Sequence, residues 1–121
     1  MIIEVGDIEV YPNLFIYVGH SLESEERYEY VLHSSDEINT IGTFLDRMAD
    51  GIAMMGFNNT GYDYPVLHHM FGMYRNVTPA ETCMSIYRYS NELIKSDEKP
   101  WFKERDIRIP QFDLYLLSCL Q

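Results

Sequence analysis

Residues 2–10 (IIEVGDIEV) alternate β-branched apolar positions with polar ones, the two-residue period of a half-buried strand. Pro12-Asn13 marks a turn, and residues 14–19 (LFIYVG) predict a second strand. After the polar stretch 21–26, Arg27–His33 (RYEYVLH) predicts a third. Three short strands so close together predict an antiparallel meander. The period then changes. Ser35 stands as an N-cap before Asp36 and Glu37, acids that the dipole of a first turn favours. Ile38, Ile41, Leu45, Met48 and Ile52 follow at helical spacing, which predicts an amphipathic helix over 36–50 ended by Gly51.

Residues 52–57 (IAMMGF) are short and apolar, as a buried strand is, and a helix between it and the meander implies a parallel crossover. Residues 58–63 (NNTGYD) have turn chemistry. Pro65 opens a helix whose buried stripe is Val66, Leu67, Met70, Phe71 and Tyr74. Thr78-Pro79-Ala80-Glu81 is a capping-box pattern that predicts a helix over 79–95. Residues 96–108 are charged and irregular apart from Trp101-Phe102, and residues 111–117 (QFDLYLL) predict a last strand. The order βββαβααβ describes one α/β domain over residues 1–121, with a mixed sheet of three antiparallel strands followed by αβ crossovers.

Hydrophobic residues make up 46% of the 121 and aromatics 14%, enough for a packed core rather than a disordered chain. No apolar run approaches the roughly 20 residues that span a bilayer, and residues 1–4 lack the basic and apolar regions of a signal peptide. The two cysteines, Cys83 and Cys119, are too few for a disulfide framework, so a reduced, cytoplasmic protein with no membrane contact is expected.

The charge is uneven. In residues 1–74, Arg27 and Arg47 face twelve acids, so this stretch carries the whole net charge of −10, while residues 75–121 balance seven bases against seven acids. Such a front half repels a phosphate backbone unless cations intervene. Two readings are open: solubility, or carboxylates that hold divalent ions.

Asp7 and Glu9 sit two apart in the first strand and so leave the same face, roughly 7 Å apart along the backbone at a rise of about 3.3 Å per residue. That spacing suits convergence on one hard cation, and it equally suits a solvated edge. Asp63 follows a strand-to-helix loop of the kind in which open α/β sheets bind ligands, where an ordinary N-cap is the plain alternative. Phe57 and Tyr62 read otherwise as core aromatics. His20, His33, His68 and His69 have no Cys or third His at the spacing of a zinc site.

Asp7-Ile8-Glu9, followed some fifty residues later by Gly56-Phe57-Asn58-Asn59-Thr60-Gly61-Tyr62-Asp63 and by Tyr64-Pro65-Val66-Leu67, resembles the first and second exonuclease motifs of DEDD-type 3′→5′ exonuclease domains. These are the proofreading domains of family B DNA polymerases and their phage relatives. Asp113-Leu114-Tyr115 is similar to a later strand of that domain. The resemblance implies an RNase H-like fold with a five-stranded mixed sheet, and two-metal hydrolysis of phosphodiesters at a single-stranded DNA 3′ end, with Mg²⁺ or Mn²⁺ held by oxygen ligands. It implies that Asp7 bridges both ions, that Glu9 binds one and Asp63 the other, that Asn58 contacts the terminal nucleotide, and that Phe57 or Tyr62 packs beside it. If the chain is phage-encoded, the compartment is the host cytoplasm.

The family also uses a Tyr-x-x-x-Asp or His-x-x-x-x-Asp helix after the last strand, and nothing between Asp113 and Gln121 supplies it. The expectation is therefore the front part of such a domain, without its C-terminal helix, with little activity by itself and with a sheet that a dimer or protein partner covers. Two further expectations follow from the same acidity and incompleteness. One is an inactive acidic protein that inhibits a nucleic-acid-binding host defence complex. The other is a structural subunit of a polymerase.

Overall fold

The computed structural model of the chain describes residues 1–73 and 77–118, the side chains of residues 117 and 118 excepted. Tyr74 and Cys119 lie outside the described residues. The strands are β1 (Ile2–Tyr11), β2 (Leu14–Ser21), β3 (Arg27–His33), β4 (Ile52–Gly56) and β5 (Gln111–Asp113); the helices are α1 (Ile41–Ala49), α2 (Asp63–Phe71), α3 (Pro79–Lys95) and α4 (Leu114–Ser118). They form a mixed sheet in the order β3-β2-β1-β4-β5. β1, β2 and β3 are antiparallel neighbours, and β4 lies parallel to both β1 and β5.

The two-residue period decides which side of the meander is covered. Gly6, Ile8, Phe15, Tyr17, Tyr30 and Leu32 face inward and are buried. Phe44 of α1 lies among them, with its ring 4.5 Å from that of Tyr30 and 5.3 Å from that of Tyr17. Met48, Leu67, Met70, Ile86 and Leu93 from α1, α2 and α3 complete the same core. Asp7, Glu9, Glu29 and Val31 point to the opposite face of β1–β3 and are exposed, and Ile16 and Val18 beside them are half-buried.

One buried acid belongs to the covered side. The Glu4 carboxylate takes both terminal nitrogens of Arg47, each at 2.7 Å, and the Tyr17 hydroxyl at 2.6 Å. Arg47 also lies 3.6 Å over the Tyr28 ring. Burial raises the affinity of Glu4 for a proton, but the Arg47 and Tyr17 hydrogen bonds outweigh it and hold the carboxyl below its ordinary range. Gly19 is required opposite this group, because a Cβ there would collide with the Glu4 carboxylate.

Two boundaries depart from the sequence pattern. The predicted helix over 36–50 begins at Ile41. Asp36, read as a first-turn acid, accepts instead from the His33 backbone N–H at 2.9 Å and closes the end of β3. Asn39 accepts from the Ile41 N–H while its amide nitrogen reaches Val77 O and Thr82 Oγ1, so tertiary contacts set the start of the helix and Ile38 is left exposed. The predicted strand over 111–117 is a strand only to Asp113. Asp113 then accepts from the Tyr115 N–H at 3.0 Å, an N-cap that turns the chain into α4. The helix over 79–95 is found as α3, with Thr78 Oγ1 accepting from the Glu81 N–H.

Candidate active site

The site is built where parallel strands part. The β1–β4 ladder pairs Ile2–Val5 with Ile52–Met55; β4 stops at Gly56, whereas β1 runs on to Tyr11. Beyond Val5, the edge of β1 that faced β4 needs other acceptors. Asp63, the first residue of α2, supplies one: its Oδ2 accepts from the Ile8 N–H at 3.3 Å. This seats a buried carboxylate beside Asp7, at the carboxyl ends of β4 and its neighbours, the crevice where open α/β sheets hold ligands.

Asp113 at the end of β5 shapes the same crevice. Its Oδ1 accepts from the Asn58 and Tyr115 N–H groups, and its Oδ2 accepts from the N–H and hydroxyl of Thr60. Asn58 is held there at φ 61°, a left-handed conformation uncommon outside glycine but relatively accessible to asparagine. The Asn58 carbonyl accepts from Gly61 and Tyr62 and tightens the turn into α2. Four donors fill the roughly four acceptor positions of a carboxylate, so Asp113 positions the 58–60 loop and has no lone pair left for a metal. Those hydrogen bonds, from Thr60 first, hold its carboxyl below its ordinary range despite burial.

Asp63 is shifted the other way. Burial raises its pKa first and the charge of Asp7 next, with Asp113 adding to both, while the backbone N–H groups of Ile8 and of Asp63 itself oppose them; the outcome is about 6. Burial likewise raises the Tyr62 hydroxyl, with Asp63 and Asp7 contributing. Both carboxylates thus act on the Tyr62 hydroxyl, which is fixed by Ser90 of α3 at 2.6 Å.

The structure thus brings Asp7, Asp63 and Tyr62 into one electrostatic neighbourhood. Glu9 lies farther along the face of β1 that carries Asp7, opposite Ile16. Asn58 and Phe57 stand at the rim, both exposed; Phe57 was read as a core aromatic if it had no function, yet it is 67% exposed and meets Tyr115 edge-on at 5.4 Å. Among the described residues, no group of three or more His, Cys, Asp or Glu stands close enough together to hold a metal ion. Sequence reasoning missed the role of Asp113, although a carboxylate inside the apolar run QFDLYLL was the available signal, because such a group needs donors when buried. No protein-family model, curated protein or solved structure matches this chain.

Proposed function

We propose that this chain carries the acidic half of a two-metal phosphodiesterase site, acting on the 3′ end of a nucleic-acid strand. The observation that carries the reading is the pair Asp7 and Asp63 at the carboxyl ends of parallel strands, where burial first and the charge of Asp7 second push Asp63 up to about 6. The five-stranded mixed sheet with three antiparallel strands first is compatible with an RNase H-like domain.

The donor set suits Mg²⁺ or Mn²⁺, since both take carboxylate oxygens and a divalent charge relieves the repulsion between such groups. Asp7 and Asp63 would hold one ion, with Glu9, on the same face of β1, reaching toward a second. Ions so held would supply polarisation of the scissile phosphate and activation of water. The chain's own groups bind and orient. Asp113 keeps Asn58 and Thr60 at the rim, Tyr62 fixes the wall, and exposed Phe57 offers a ring to the terminal base. With no ion bound, Asp63 takes up a proton at its carboxylate as the pH falls through about 6.

The test is nucleotide release from a 3′-labelled single strand with Mn²⁺, alongside calorimetry of Mn²⁺ with wild type and Asp7→Ala. Weak binding lost in Asp7→Ala is expected, with slow release or none, because no Tyr-x-x-x-Asp or His-x-x-x-x-Asp pattern follows Asp113 in residues 1–121. Equal heats for the two proteins would end the metal reading. A second reading, an acidic protein that binds a protein partner and has no catalysis, is favoured by the uncovered face of β1–β3, where Asp7, Glu9 and Glu29 alternate with Ile16, Val18 and Val31. A complex with a basic partner that forms in EDTA would favour it.

A further inference from the structure

The cations of this acidic chain are densest in one segment. Four of its nine Lys and Arg residues, Lys99, Lys103, Arg105 and Arg108, fall within residues 99–108, where the acids are Glu104 and Asp106. That segment passes over α2 and leaves a groove of about 720 Å³, walled by Lys103, Arg105 and Arg108 on one side and by His68, Phe71 and Gly72 on the other. Asp106 is the acid in its wall. Among the described residues, the ion pairs are Arg27–Glu29 and Arg47–Glu4, so the charges of Lys103, Arg105 and Arg108 are not spent on carboxylates. The Arg108 guanidinium rests 4.8 Å from the Phe71 ring centre. His68 adds no charge near pH 7, because burial lowers its proton affinity.

Trp101 stands at the junction. It is the only tryptophan in the chain and is 81% exposed. Phe102 beside it is anchored, with its ring 4.2 Å from His68 and 5.5 Å from Tyr64. On the far side of Trp101 and Phe102 lies a more apolar cavity of about 490 Å³, bounded by Pro100, Ile107, Asn58, Thr60 and Gly61. Asn58 and Thr60 are the residues that Asp113 holds at the acidic crevice. The two cavities share Trp101 and Phe102, so a path past the exposed indole joins the 58–61 loop to the cationic groove.

We propose that this path binds a single-stranded nucleic acid away from the acidic cluster, with phosphates along Lys103, Arg105 and Arg108 and a base stacked on Trp101. Unpaired cations in a groove, interrupted by an aromatic face, are the two elements that hold single strands without reading sequence. The remaining net charge does not forbid it, since fields are screened over about 8 Å at physiological ionic strength. A membrane surface would need the cations on a convex face with several exposed apolar side chains, whereas here they line a concavity and Phe102 is anchored. The assignment rests on the proposed phosphodiesterase reading only for which end of the strand meets Asp7 and Asp63. Binding itself needs no metal.

Trp101 is also the reporter. The full chain in EDTA is titrated with a twelve-residue oligothymidylate, read by Trp101 emission and by the anisotropy of a 5′ dye. Quenching is expected, with affinity falling about twenty-fold between 50 and 200 mM salt if three phosphates are neutralised at roughly 0.7 ions each. Lys103→Ala with Arg105→Ala should cut that salt dependence to about a third, and Trp101→Ala should weaken binding about ten-fold by anisotropy. Circular dichroism of each variant verifies folding, and a charge-reversed Arg105→Glu must weaken binding further. No anisotropy change with oligonucleotide overturns the proposal, as does equal or stronger quenching by polyglutamate or by vesicles with a third phosphatidylserine. Binding in EDTA together with no Mn²⁺ binding sinks the metal reading and leaves the groove standing; Mn²⁺-dependent release without binding in EDTA does the reverse.

Discussion

Asp63→Asn is expected to stabilise the protein while removing the group that the proposed site depends on. Asp63 is only 8% exposed, and its pKa rises from 3.8 to about 6, chiefly through burial and then through the charge of Asp7. Two pKa units at about 1.36 kcal/mol each correspond to about 3 kcal/mol of native-state penalty at pH 7. The sign follows from proton counting. Between roughly pH 4 and pH 6 the folded form holds this proton and the unfolded form does not, so stability falls as pH rises through that window and the loss is complete above it. Asparagine keeps an oxygen for the Ile8 N–H and discards the charge. It also gives up a favourable acid in the first turn of α2, which offsets up to about 1 kcal/mol. A net gain of about 1–2 kcal/mol at pH 7 is expected, and near pH 4 the two proteins should converge.

The assay is thermal unfolding by circular dichroism from pH 4 to pH 8 in EDTA, with wild type and Asp63→Asn side by side. At roughly 4 °C per kcal/mol for a chain of this size, the mutant should melt about 4–8 °C higher at pH 7. The difference between the two curves is the quantity to follow, because Glu4 and Asp113 have lowered pKa values and so contribute the opposite slope, with stability lost as pH falls through their folded pKa values. A mutant that is less stable at pH 7, or a difference that does not vary between pH 4 and pH 6, refutes the reasoning. Mn²⁺ should then raise the wild-type melting temperature and leave that of Asp63→Asn nearly unchanged, since only ligand bound to the native state stabilises it.

Glu4→Gln should cost about 2–3 kcal/mol in urea unfolding, somewhat under the usual cost of breaking a buried pair because the Arg47 side chain keeps 31% of its exposure; an unchanged midpoint would show the pair to be idle. Asp113→Ala removes four hydrogen bonds from the 58–60 loop and the start of α4, so amide exchange at Asn58 and Thr60 should speed by at least about ten-fold, corresponding to about 1.4 kcal/mol of local stability. Gly19→Ala should destabilise by about 1–3 kcal/mol through overpacking against Glu4, and the loss should shrink in a Glu4→Ala background, as a double-mutant cycle would measure.

What the sequence made legible was whatever a short period or a local cap could encode. The three meander strands, the crossover into β4 and the Thr78-capped α3 all follow from spacing alone. What it concealed was polar pairing at long range. Nothing in IIEVGDIEV separates Glu4, which turns inward to Arg47 forty-three positions away, from Glu9, which turns out to water. Their difference is one of parity with Ile8, and parity is readable only once the covered face is known. Asp36 and Asp113 show the same limit in opposite directions. Asp36 looked like the start of a helix and closes a strand; Asp113 looked like part of a strand and starts a helix. An aspartate beside a chain reversal satisfies whichever backbone N–H is left over, and the sheet decides which that is. The candidate site inherits this logic. Asp63 is buried because β1 outlasts β4 and leaves the Ile8 N–H to be answered, so a structural demand fixes the carboxylate that the proposed chemistry would use. Asp7, whose charge opposes it, is placed by nothing more than the pleat of β1. Asparagine at position 63 would answer the same N–H without the charge, so the direction of the Asp63→Asn shift tests whether the buried carboxylate costs the fold stability.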